Sequence, residues 1–178
     1  VSPEVSAAVE ASGQARGPVL TIANGLDVPQ ERGERTTDVC LLGTKNPRLC
    51  RALESALTAR GQRVLAIAER RPRTAVLQAM AGARVVLLLP HAQEGFYLPA
   101  LEAMALADVT VVPDCGGNRS FCRDGVNCLM PAYEEQALLD AAQRLGRGGV
   151  AGDDDERAAE AEEVRDALER EAQHGLER

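Results

Sequence analysis

The stretch VVLLLPHAQEGFYLPALEAMALA, residues 85–107, passes from an apolar run through a polar loop into a helix-forming run. VVLLL, residues 85–89, is the most apolar run in the chain, as a strand covered on both faces of a sheet must be. Residues 99–107 predict a helix opening on Pro99, whose missing N–H is no loss at a first helical position. Strand, loop and helix in that order are part of a βαβ unit, and the rest of the chain repeats the alternation.

Upstream, residues 39–42 predict a buried strand ended by Gly43. Residues 47–60 predict a helix with Pro47 in its first turn, Gly61 at its stop, and Leu49, Leu53 and Leu57 on its buried face. Residues 64–68 predict a strand, and residues 74–81 a short helix capped by Thr74 and stopped by Gly82. Downstream, residues 110–112 and 128–130 predict strands, and residues 134–145 a helix. This alternation implies an α/β fold, a parallel sheet with flanking helices of the Rossmann-like kind. Ligands of such sheets bind beyond the carboxyl ends of the strands, so function is expected after Leu42, Leu89 and Val112.

Outside this core, residues 19–23 form a short apolar run ending in the turn Asn24-Gly25, and residues 28–37 read as a polar linker. From Gly148-Gly149 onward the chain becomes a run rich in Ala, Glu and Arg, with a cap at residues 153–155. There Ala161, Val164, Leu168 and Ala172 make one narrow apolar stripe at helical spacing.

Composition excludes several classes. The net charge of −7 comes wholly from residues 151–178, because residues 1–150 hold 16 acids and 16 bases. No basic surface announces a nucleic-acid partner. No apolar run approaches the roughly 20 residues of a transmembrane helix. The opening residues show no signal-peptide pattern, and the chain starts without Met, as a processed product or a fragment would. Five cysteines, an odd number without a C-x-x-C pair, read as reduced apolar core residues and not as a disulfide framework. A zinc site of Cys115, Cys122, Cys128 and His91 would have spacings of no familiar pattern. A reducing cytoplasm is the expected home.

The loop before Pro99 carries the candidate chemistry. Backbone N–H groups at a helix start have no internal partners, and the helix dipole adds partial positive charge there, which suits an anion such as a diphosphate. Gly95 allows a close backbone approach. Glu94 and Glu102 are expected to face one pocket, where carboxylates accept hydrogen bonds from sugar hydroxyls. Lys45 is the only lysine in the chain and lies just past Gly43, at the sheet's carboxyl edge.

EGFYLPALEAMA, with seven residues between Glu94 and Glu102, is similar to the Glu-x7-Glu signature of retaining glycosyltransferases of family 4, which have the GT-B architecture. Residues 114–129, DCGGNRSFCRDGVNCL, resemble that family's next loop and strand. Asn24-Gly25-Leu26-Asp27 resembles its interdomain linker, and Lys45-Asn46 the turn before its first donor-domain helix. The resemblance implies that residues 1–37 are the end of an acceptor-binding domain plus a linker. It makes residues 38–147 the nucleotide-sugar-binding domain and leaves residues 148–178 as an acidic helical tail. Glu94 would then hold hydroxyls of the transferred sugar and Glu102 the ribose. Backbone N–H groups from Phe96 through Tyr97 to Leu98 would meet the diphosphate of a UDP-, GDP- or dTDP-sugar, and Lys45 would neutralise it without a bound metal. An acceptor-binding domain or subunit is the implied partner, and the cytoplasm or its membrane face the implied location.

The chain departs from the family's pattern in three ways. The arginine that usually precedes the lysine is missing, with Arg48 a candidate replacement. Tyr97 stands where the family more often has Gly, which would narrow the sugar pocket. The sheet has room for fewer strands. His91 reads either as a ligand contact or as a loop histidine, and the aromatics Phe96, Tyr97, Phe121 and Tyr133 either line the pocket or pack. Two rivals stand beside the transferase: a non-catalytic nucleotide-sugar-binding or assembly module derived from such a domain, and a sugar-nucleotide epimerase of the same architecture.

Overall fold

A computed structural model describes residues 2–22, 24–27 and 34–146. Its centre is a four-stranded, all-parallel sheet built from β1 (Thr37–Leu42), β2 (Val64–Ile67), β3 (Ala83–Leu88) and β4 (Val109–Val111). The strands lie in the order β2-β1-β3-β4. Leu42 pairs with Ile67 on one side and Leu88 on the other, and Val85 with Val109. Helix α1 (Pro3–Ala11) precedes the sheet. Helices α2 (Pro47–Thr58), α3 (Arg73–Ala81), α4 (Leu98–Leu106) and α5 (Glu135–Gly146) flank it.

Side chains alternate across each strand, so each core layer takes every second residue. Cys40, Leu42, Val86 and Leu88 pack with Leu77 and Met80 of α3 and Ala103 and Leu106 of α4. Val39, Leu41, Val85 and Leu87 face the opposite way, against Leu53 and Leu57 of α2 and Leu138 and Ala142 of α5. Both faces of the sheet are therefore covered, as its unbroken apolar runs require.

Local rules set the ends of α2. The Asn46 side chain accepts from the Leu49 N–H at 3.3 Å, Pro47 opens the helix, and Gly61 turns the chain with φ +82°. Its buried face is Cys50, Leu53 and Leu57, with Leu49 only partly covered.

Two expectations need correction. Thr74 does not cap α3; the helix starts one residue earlier, Pro72 occupies the cap, and no side chain bonds there. Residues 128–130 make no strand: Leu129 forms an isolated bridge to Val111, donating to Thr110 O and accepting from Val112 N, both at 2.9 Å. The apolar run at residues 19–22 belongs to no strand, and Leu20 and Ile22 are 73% and 70% exposed. Glu102 lies in the second turn of α4. The predicted tail helix lies outside the described residues.

Candidate functional site

In this sheet the chain leaves β1 to one side for β2 and returns on the other side as β3. The crevice of a parallel sheet opens at such a switch, above the carboxyl ends of β1 and β3. The loop after β1 is a tight turn in which Asn46 N donates to Gly43 O at 3.0 Å. Gly43 cannot carry a side chain, because a Cβ there would sit 2.7 Å from Cys50 Sγ. The turn sends the half-exposed Lys45 across the crevice, where its Nζ lies 3.3 Å from Glu94 Oε1.

Glu94 is the cation's partner from the loop after β3. Its backbone N–H donates to His91 O at 3.2 Å, closing a turn, and its Oε1 also accepts from His91 N at 3.4 Å. His91 is exposed and spends its Nδ1 on the N–H of Gln93. Arg48 is exposed in the first turn of α2.

The loop beyond β4 fixes the Glu94 loop from behind. Buried Asn118 accepts from Cys115 N and donates to Pro113 O, holding a turn in which Gly116 has φ +71°. Arg119 forks onto Asp114 at 2.6 and 2.8 Å, which holds that carboxyl below its usual range. Gly117 lies flat against the backbone of Glu94 and Phe96, and its carbonyl accepts from Tyr97 N at 3.1 Å.

That bond revises the expected phosphate contacts. Tyr97 N is committed to Gly117 O and Leu98 N to Phe96 O at 3.2 Å, so neither is free for a ligand. The N–H groups of Gly95 and Phe96 have no acceptor among the described residues. The Tyr97 ring is also not a pocket wall. It is 4% exposed within the core, where burial, with the Glu94 charge adding, pushes its phenol well above the ordinary value. Of the other rings, Phe96 packs on Phe121 at 5.1 Å, and Tyr133 donates to Pro90 O at 2.8 Å.

Glu102 is held by a residue that sequence reasoning did not single out. Its side chain is 10% exposed, and both Nε and Nη2 of Arg73 lie 2.9 Å from its Oε1. The same Nη2 donates to Asp27 O at 2.7 Å. Nothing in the sequence separates Arg73 from its neighbours Arg70 and Arg71; only the packing of α3 on α4 brings it to Glu102. A second unforeseen neighbour is α1: Val5 Cγ2 lies 3.1 Å from where a Cβ on Gly95 would stand.

All five cysteines are free and buried. Among the described residues no three His, Cys, Asp or Glu side chains assemble to hold a metal ion. No helix of the described residues is long and apolar enough to cross a membrane.

A Rossmann-like α/β domain belongs to the class whose ligands bind at the strand ends of the switch point, where this chain places its lysine–carboxylate pair. Comparison with known proteins gives the family. A model of the group 1 glycosyl transferases matches residues 26–147, and the chain belongs to that family. The matched region starts in the Asn24–Asp27 turn and contains Lys45, Arg73, Glu94 and Glu102. No match was found among curated proteins. Glycosyl transfer implies a sugar donor and an acceptor.

Proposed function

We propose that this chain is the donor-binding half of a glycosyltransferase that moves a sugar from a nucleoside-diphosphate donor to an acceptor with retention at the anomeric carbon. The observation that carries the reading is the 3.3 Å pair of Lys45 and Glu94 across the crevice. In this structure each charge satisfies the other. A donor would exchange both partners: the diphosphate takes Lys45, and hydroxyls of the sugar take Glu94. Negative charge growing on the departing diphosphate is stabilised by the ammonium and by the N–H groups of Gly95 and Phe96, already oriented before the reaction. No cation is placed between phosphate and protein in this scheme. Glu102 Oε2, the oxygen that Arg73 leaves uncommitted, accepts from the ribose hydroxyls.

The acceptor belongs to a second domain or subunit. Transfer needs the acceptor oxygen within roughly 3–3.5 Å of the anomeric carbon in a cleft closed to water. Among the described residues α1 and the segment after it precede the sheet, and Leu20 there is 73% exposed, which suits contact with a larger neighbour. A thermal-shift screen with UDP, GDP, dTDP and their sugars tests the proposal, because a ligand that binds the folded state raises its stability with concentration. One nucleotide series is expected to shift the melt in a concentration-dependent way. A flat response to all of them overturns the reading.

A further inference from the structure

Arg73 opens α3 at the same edge of the sheet as Lys45, yet its guanidinium points at two parts of the chain and not at the crevice lysine. Nε and Nη2 converge on Glu102 Oε1 at 2.9 Å, and Nη2 also reaches Asp27 O at 2.7 Å. We propose that Arg73 is a positioning residue that aims Glu102 at the nucleoside and ties the segment entering the domain, residues 24–27, to that carboxylate. Its first half rests on the ribose role assigned to Glu102 above; its second half does not.

Three features support the assignment. Glu102 is a nearly covered carboxylate, and such a charge is stable only with a hydrogen-bonded partner. Arg73 supplies that partner from 29 positions away. Both nitrogens meet a single oxygen, which anchors Oε1 while Oε2 stays available. A planar fork is pre-organised for such a double contact, and an ammonium reproduces it only in part. The third feature is the double use of Nη2. A change at Glu102 is felt at Asp27, at the start of the family-matched region. The segment before it also touches the other carboxylate loop, through Val5 against Gly95. Residues leading into the sheet are therefore held at both donor loops, and Arg73 is the polar joint.

The test uses Arg73→Ala and Arg73→Lys in the full chain, alone and combined with Glu102→Ala. UDP, GDP and dTDP serve as calorimetric probes, and hydrogen exchange follows a peptide covering residues 24–27 in the ligand-free protein. Arg73→Ala is expected to weaken the nucleotide that binds wild type by about tenfold, the scale of one lost charge-assisted hydrogen bond. Arg73→Lys should recover part of that loss, and the penalty should vanish in the Glu102→Ala background because Arg73 acts through Glu102. An Arg73→Ala penalty that persists undiminished without Glu102 overturns the positioning role. Exchange over residues 24–27 is expected to rise in Arg73→Ala and to stay near wild type in Arg73→Lys; unchanged exchange in Arg73→Ala overturns the tether. If wild type binds none of the three nucleotides, the ribose role and the donor reading fall together. The exchange arm still decides the tether.

Discussion

Lys45 Nζ and Glu94 Oε1 lie 3.3 Å apart although 49 positions separate them in sequence. Adjacent parallel strands β1 and β3 deliver them, each from the loop at the strand's carboxyl end. Lys45 is half exposed, so the pair contributes at most about 1 kcal/mol to folding, and its value lies in what it leaves ready for a ligand.

Glu94→Gln keeps the hydrogen-bonding shape and removes the charge that holds Lys45. Affinity for the free nucleoside diphosphate is expected to stay within about a factor of three, while preference for the sugar-bearing donor falls. Calorimetry with both ligands reads the split. Equal losses for the two would show that Glu94 does not serve the sugar alone.

Gly117→Ala would place a Cβ 2.6 Å from Glu94 O and 2.9 Å from Phe96 N, backbone atoms that cannot rotate away. The Glu94 loop must then move, at a cost of about 1–3 kcal/mol in stability, and donor affinity should drop with it. Gly61→Ala is the control. Its φ of +82° makes the substitution strained, about 1–2 kcal/mol, but nothing lies within 4 Å and the site is untouched. Melting temperatures falling in both variants with affinity lost only in Gly117→Ala is the expected result.

Stability should decline in alkali. Burial raises Cys40 to about 12, and Cys50 and Cys115 to about 11. Folded values above the unfolded thiol value of about 8.5 mean that the stabilisation is complete below that pH and is lost as pH rises toward 11–12. Each thiol contributes a slope of up to about 1.4 kcal/mol per pH unit in this window. Guanidinium unfolding at pH 8, 9 and 10 checks it. A midpoint independent of pH would mean that these thiols are not buried as described.

Much of the fold is readable because its signals are local. The VVLLL run, the Pro47 and Pro99 helix starts and the Gly43 and Gly61 stops each act over a few residues, and the sheet follows from their alternation. Glu94 and Lys45 were legible as candidates, since one stands in a strand-to-helix loop and the other is the sole lysine. What escaped depends on partners distant in sequence. Arg73 gains meaning only when α3 packs on α4. Tyr97 reads as a loop aromatic until the loop folds inward and buries its ring. The fold of residues 128–130 is decided by the side-chain bonds of Asp124 and Asn127, which turn the chain so that Cys128 and Leu129 make only isolated bridges.

Catalysis should need more than this chain. The purified protein is expected to bind a donor, hydrolyse it slowly at most, and glycosylate no acceptor until an acceptor-binding domain is supplied. Product analysis with and without that domain is the check. Robust transfer by these 178 residues alone would place an acceptor site within the chain or across two copies of it.

The most direct test is calorimetric titration of wild type and Glu102→Ala with the nucleoside diphosphate selected by thermal shift, in EDTA throughout. Wild type should bind without added metal. Glu102→Ala, folded by its melting curve, should bind roughly 10- to 100-fold more weakly, matching the loss of hydrogen bonds to a charged acceptor worth about 1.5–3 kcal/mol. Unchanged affinity in the folded variant, or binding that appears only with magnesium or manganese, would contradict the site described.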